Sequence, residues 1–161
     1  MLTMAAQEIS AHGKNTSSQV VGAAPHPGKR GRTTPAKPSQ PTFKDVDLRI
    51  FDLANSNEAT LVLTATAQLP ASDAGPMLDR LVTLVAREDL NGEFHKVFSA
   101  VTDTQHLDVE PRWELIDAVD ANGDGAGELL FRKVFDAGSS YAVYRVVGDQ
   151  LYPLFEGTPG G

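Results

Sequence analysis

The clearest chemical pattern in the chain is a nine-residue loop, Asp120-Ala121-Asn122-Gly123-Asp124-Gly125-Ala126-Gly127-Glu128. Oxygen-bearing side chains stand at its positions 1, 3, 5 and 9, and glycines at 4, 6 and 8, where a tight wrap needs positive φ or no Cβ. Calcium takes about six to eight oxygen ligands in a flexible shell. A loop of this spacing turns alternate side chains toward one point, so Asp120, Asn122, Asp124 and Glu128 are the expected ligands. The backbone carbonyl of Ala126, at position 7, completes the ring. The expectation is a single Ca2+ site. An EF-hand is excluded, because that loop needs a bidentate acid at position 12 and flanking helices. Here position 12 is Phe131, and both flanks, Glu114–Val119 and Leu129–Arg132, read as strands.

Other reactive residues carry weaker patterns. His95 and His106 lack a second histidine or an acid at metal-ligand spacing and read as surface or hairpin histidines. Asp117 and Asp120, three apart where a strand runs into a turn, point in different directions and do not form an acid/base pair. Ser99, Ser139 and Ser140 have no local base and no nucleophile-elbow glycines. Trp113, Tyr141, Tyr144 and Tyr152 could line a sugar-binding strip, but aromatics at strand spacing are more often core or cross-strand pairs. No catalytic residue is expected.

The elements that must position the loop are strands. From Phe43 onward, short β-branched segments alternate with Asn, Asp and Gly turns. The pattern predicts strands at Val46–Leu53, Thr60–Gln68, Leu81–Arg87 and Phe94–Val101. A second set follows at Trp113–Val119, Glu128–Val134, Tyr141–Val147 and Leu151–Phe155. Asn91-Gly92 and Gly148-Asp149-Gln150 read as hairpin turns. The two sets look like a repeat. A shift of 68 lays Asp52 on Asp120 and Leu61-Val62-Leu63 on Leu129-Leu130-Phe131. With a shorter intervening loop, Val85-Ala86-Arg87 lies over Val143-Tyr144-Arg145, and Val97-Phe98 near Leu154-Phe155. Four antiparallel strands per repeat is the pattern of a propeller blade. The first repeat keeps only one carboxylate at the loop positions (Asp52, Ala54, Ser56, Thr60). Its Asn55-Ser56-Asn57 is expected to make Asx turns instead of holding a metal.

An acid at position 9 followed at once by Leu129-Leu130 resembles the FG-GAP/VCBS calcium-loop repeats of integrin-α-like β-propellers. The resemblance is strongest over residues 113–155 and weaker over 46–98. It implies a structural calcium site and a role in adhesion or protein assembly. The chain offers two blades where a closed propeller has about four to eight. The expected fold is therefore all-β, with two four-stranded antiparallel units as blades or as a two-sheet arrangement.

Charge divides the chain. Residues 1–42 hold five Lys/Arg (Lys14, Lys29, Arg30, Arg32, Lys37) against Glu8, whereas residues 43–161 hold nine basic and twenty acidic side chains. The acidic part should repel a phosphate backbone, which speaks against nucleic acid as a partner. The first 42 residues, rich in Ser, Thr, Gly, Pro, Lys and Ala, are expected to be a disordered tail or linker, with Lys29-Arg30-Gly31-Arg32 a solvated basic cluster. The β domain would span 43–161, divided into a degenerate repeat at 43–103 and a loop-bearing repeat at 104–161. A linker with nothing foldable ahead of it suggests the C-terminal part of a longer architecture. Met1–Lys14 lacks a basic start before an apolar stretch, so no secretory signal is read, and no apolar run reaches the ~20 residues of a spanning helix. Without cysteine there is no disulfide framework to mark a compartment. The expected function is a non-catalytic, calcium-stabilised structural or protein-interaction module, with the isolated domain a monomer. The alternatives are a carbohydrate-binding or enzyme-associated β-domain, or a fragment of a larger propeller protein.

Overall fold

The computed structural model describes residues 1–17, 41–69 and 79–160, with the backbone alone at 13–17. Among the described residues, eight strands follow one helix: α1 (Leu2–Ser17), β1 (Thr42–Phe51), β2 (Thr60–Gln68), β3 (Asp79–Glu88), β4 (Phe94–Asp103), β5 (Arg112–Val119), β6 (Glu128–Phe135), β7 (Gly138–Val147) and β8 (Gln150–Glu156). They form two antiparallel four-stranded meanders, β1-β2-β3-β4 and β5-β6-β7-β8. All eight strands lie where the β-branched segments and the turn residues between them put them, with ends shifted by a few residues.

The repeat extends to register. In the first sheet Val62 pairs with Val85 and Val85 with Phe98, and the register slips between Val85 and Ala86. In the second, Leu130 pairs with Val143 and Val143 with Phe155, and the register slips between Val143 and Tyr144. Matched bulges on matched strands bend both sheets at the same place.

The sheets stack face to face. Val62 and Val85 of the first pack against Leu129, Phe131, Ala142 and Tyr144 of the second. Phe98 and Trp113 meet at 4.6 Å between ring centroids, and the Thr83 hydroxyl donates to the Trp113 carbonyl at 2.7 Å. Strand side chains alternate between faces, so the opposite face of the first sheet needs its own cover.

That cover is α1. Ala5 and Ile9, 0% and 1% exposed, lie against Leu63, Ala65, Ala67, Val82 and Leu84, with Met1 and Met4 alongside. Glu8 accepts hydrogen bonds from Lys96 Nζ and Ser99 Oγ, each 2.7 Å. This corrects the expected tail over 1–42, since the chain is helical from Leu2 to Ser17. The physical reason is spacing. Few apolar residues suffice when Met1, Ala5 and Ile9 recur every four positions on one face. The basic cluster 29–32 and most of the Pro-rich run lie outside the described residues. No helix among the described residues is long and apolar enough to cross a membrane.

Candidate functional site

The loop between β5 and β6 is built around the Asp120 side chain. Its Oδ1 accepts the N–H groups of Gly123 (2.7 Å) and Asp124 (3.2 Å), and its Oδ2 accepts that of Gly125 (3.0 Å). Such a wrap requires positive φ at Gly123 and Gly125, which have 78° and 85°. Asn122 Oδ1 accepts from the Asp124 N–H at 3.0 Å, and Asp124 Oδ1 from the Ala126 N–H at 2.9 Å. Glu128, fully buried at the start of β6, reaches back to the Ala121 N–H through Oε2 at 2.8 Å.

A cation already serves this loop. Arg145, on β7, donates to Asp124 Oδ2 at 2.7 Å and to Glu128 Oε1, from Nε at 3.0 Å and again from its terminal nitrogen. The hydrogen bond to Glu128, then that to Asp124, holds the guanidinium more firmly protonated than usual. The Asp124 carboxyl is held below the usual carboxylate range, first by the Ala126 N–H and then by Arg145.

The loop is also tied to its counterpart in the first repeat. The Gly127 N–H donates to the Leu53 carbonyl at 2.6 Å, and the Asn55 side-chain amide donates to the Gly125 carbonyl at 2.7 Å. In that counterpart, Asp52 accepts the N–H groups of Ser56 (3.0 Å) and Asn57 (3.1 Å). Asn55 and Asn57 take positive φ, but the side chain that folds this loop is that of Asp52, and Asn55 turns its amide to Gly125, where Asx turns at Asn55-Ser56-Asn57 were expected. Arg87, the repeat equivalent of Arg145, pairs with Glu58. Both repeats thus use one design: an aspartate that folds the loop and a β-strand arginine that closes it.

The fit to calcium divides between chemistry and arrangement. All four side chains offer oxygen, the hard donor calcium prefers. Yet each of their oxygens described above already accepts an N–H, and the guanidinium occupies the side where Asp124 and Glu128 come together. Among the described residues, the one group of three His, Asp or Glu with ligand atoms within 4.8 Å of one another is Asp89, Glu93 and His95, not the loop.

That cluster lies on the β3–β4 hairpin; His95 and His106 are surface histidines as expected, but each has an acid beside it that the sequence reading did not find. His95 Nε2 is 2.9 Å from Asp89 Oδ2, and His106 Nδ1 is 2.6 Å from Asp103 Oδ1. The Asn91-Gly92 turn folds residue 95 back beside residue 89, a closeness that sequence distance hides. Asp89 is lowered to about 2, by the Glu93 N–H first and His95 next, and His95 is raised by Asp89. Arg145 was missed as well. The alignment of Arg87 with Arg145 was its signal, because a charge repeated at one register position calls for a repeated partner.

The aromatics divide. Trp113 and Tyr144 belong to the inter-sheet core, whereas Tyr141 and Tyr152 are about half exposed on the opposite face of the second sheet. Ser99 serves Glu8, and Asp117 accepts the N–H of Ala118. No protein-family model, characterised protein or solved structure matches this chain.

Proposed function

We propose that this chain is a non-catalytic structural or protein-interaction module whose Asp120–Glu128 loop clasps its two repeats together. The observation that carries this reading is the pair of bonds from loop to loop, Gly127 to Leu53 and Asn55 to Gly125, which seat one repeat on the other. Calcium is the metal proposed for the loop, through Asp120, Asn122, Asp124, the Ala126 carbonyl and Glu128. Its binding requires Arg145 to release Asp124 and Glu128, so the arginine and the metal compete for the same two carboxylates.

Calorimetric titration of the wild type and Arg145→Ala with calcium tests the metal. The variant should bind more tightly than the wild type, because the internal competitor is gone. Absence of heat with both proteins at millimolar calcium overturns the metal and leaves the clasp. Asn55→Ala tests the clasp separately, and an unchanged melting temperature would overturn it.

A further inference from the structure

The two sheets stack head to tail, which leaves one face of the pair without a partner. In the first sheet, the row Val62–Val85–Phe98 faces the second sheet and is buried against it. The equivalent row of the second sheet is Leu130–Val143–Phe155, on the side away from the first sheet. No sheet or helix among the described residues packs on it, and although Leu130 and Val143 are half-buried, the rest of the face is open. Phe155 is 57% exposed, and Tyr141 and Tyr152, on the same side, are 53% and 49% exposed.

The surface such a row packs on is defined within the molecule. Val62 and Val85 lie against Leu129, Phe131, Ala142 and Tyr144. By the repeat, the first sheet carries the same surface at Leu61, Leu63, Leu84 and Ala86, all buried. There α1 lies on Leu63 and Leu84 in place of a preceding sheet.

We propose that the open Leu130–Val143–Phe155 face is an assembly surface for a second copy of this chain, and that α1 is the cap that blocks it. The second copy docks through the face its own α1 covers, so assembly requires the helix to lift. This names the partner of the interaction module proposed above and uses no metal. The contact is heterologous, and its repetition closes a ring or propagates a filament. A closed propeller of about four to eight blades needs two to four chains of two blades each. The expectation that the isolated β domain is a monomer assumed that the sheets satisfy each other. They cover only one face each.

Sedimentation velocity on the full chain tests the proposal, in calcium and in EDTA, so that failure of the metal reading is seen separately. Wild type should sediment as one chain of 17.2 kDa. Ile9→Asp, which drives α1 from its apolar seat, should sediment as a discrete species of two to four chains. Adding Phe155→Asp should return it to a single chain with an unchanged far-UV spectrum. Glu8→Lys sets like charge against Lys96 without touching the core, and should assemble at higher concentration than Ile9→Asp. An Ile9→Asp protein that keeps its β spectrum yet remains a single chain at ~100 µM would overturn the proposal. Assembly indifferent to Phe155→Asp would overturn it equally, since it would show association through another surface. If Ile9→Asp fails to fold, Glu8→Lys with and without Phe155→Asp decides between the same outcomes.

Discussion

Truncating Ile9 to alanine perturbs the apolar contact at the centre of the seat that joins the N-terminal helix to the β domain. Ile9 is 1% exposed and sits on a floor of Ala65, Ala67, Leu63, Val82 and Leu84. Two of those neighbours are alanines, too short to fill the space that the three lost carbons leave. A buried Ile→Ala change costs about 2–5 kcal/mol, and least where the surroundings can collapse. A surface helix can settle inward, so about 2–3 kcal/mol is expected here. For a domain of this size that is a fall in Tm of about 6–15 °C. Ile9→Asp is worse locally, because it sets a charge in an apolar seat. Its global cost is nevertheless capped, since the helix detaches once the local cost exceeds the free energy of docking. Comparing the two substitutions therefore measures the docking energy as a plateau. The assay is thermal melting followed in two ways: far-UV circular dichroism, which includes α1, and fluorescence of Trp113, the single tryptophan, which reports the inter-sheet core. Detachment appears as loss of helical signal while the Trp113 transition stays cooperative. If both variants melt within ~1 °C of wild type by both probes, α1 is not part of the core and the reasoning fails.

Further outcomes follow from the charged pairs. Burial raises the Glu8 carboxyl, but the hydrogen bonds from Lys96 and Ser99 outweigh it and leave the pKa lowered. Its contribution to docking is therefore present above the unfolded carboxylate value and lost as pH falls through the lowered folded value, read as loss of helical signal on acid titration. The Asp89–His95 pair has its full contribution only in a window. Above the unfolded His value the contribution is lost as pH rises through the raised His95 value; below the unfolded Asp value it is lost as pH falls toward about 2. Asp89→Asn should return the His95 titration, followed by NMR, toward the ordinary imidazole value, and an unmoved titration refutes the pairing. If calcium binds the folded loop, a hundredfold excess over Kd adds about 2.7 kcal/mol. Asp124→Ala should abolish that gain and Asp52→Ala should leave it; indifference of the wild-type Tm to millimolar calcium and to EDTA counts against the metal.

The strands were legible because they are announced twice, by β-branched and aromatic residues along them and by turn chemistry at their ends. Asn91-Gly92 and Gly148 name their hairpins outright, with φ of 81° at Gly92 and 57° at Gly148. The repeat was legible because Asp52 and Asp120 open equivalent loops, and both fold those loops by accepting backbone N–H groups. What was not legible is pairing across strands. Arg145 lies 17 residues from Glu128, and only register brings them together. The helix was missed for a different reason. Residues 1–17 were judged by how many apolar groups they hold, whereas docking depends on whether the few present fall on one face.

That difference bears on how a two-sheet stack holds together at all. A four-stranded meander is apolar on both faces when it is an interior member of a stack, and each end of the stack then needs a cover. At one end the chain supplies α1, whose seat reads Leu63, Ala65, Ala67, Val82 and Leu84, a surface of modest relief suited to a slender helix bearing Ala5 and Ile9. The other end presents bulkier, aromatic groups in Phe155, Tyr141 and Tyr152, flanked by Arg132 and Arg145. The tyrosines carry hydroxyls and Arg132 is partly in solvent, so this face tolerates water better than the seat of α1 would. The ends are therefore unequal in consequence. Uncovering the α1 end exposes aliphatic groups with no polar handle, while the Phe155 end sets its apolar row among tyrosines and arginines that stay hydrated. A single helix such as α1 contributes most by covering the aliphatic end. The aromatic end is then the one left open, the face proposed above for assembly.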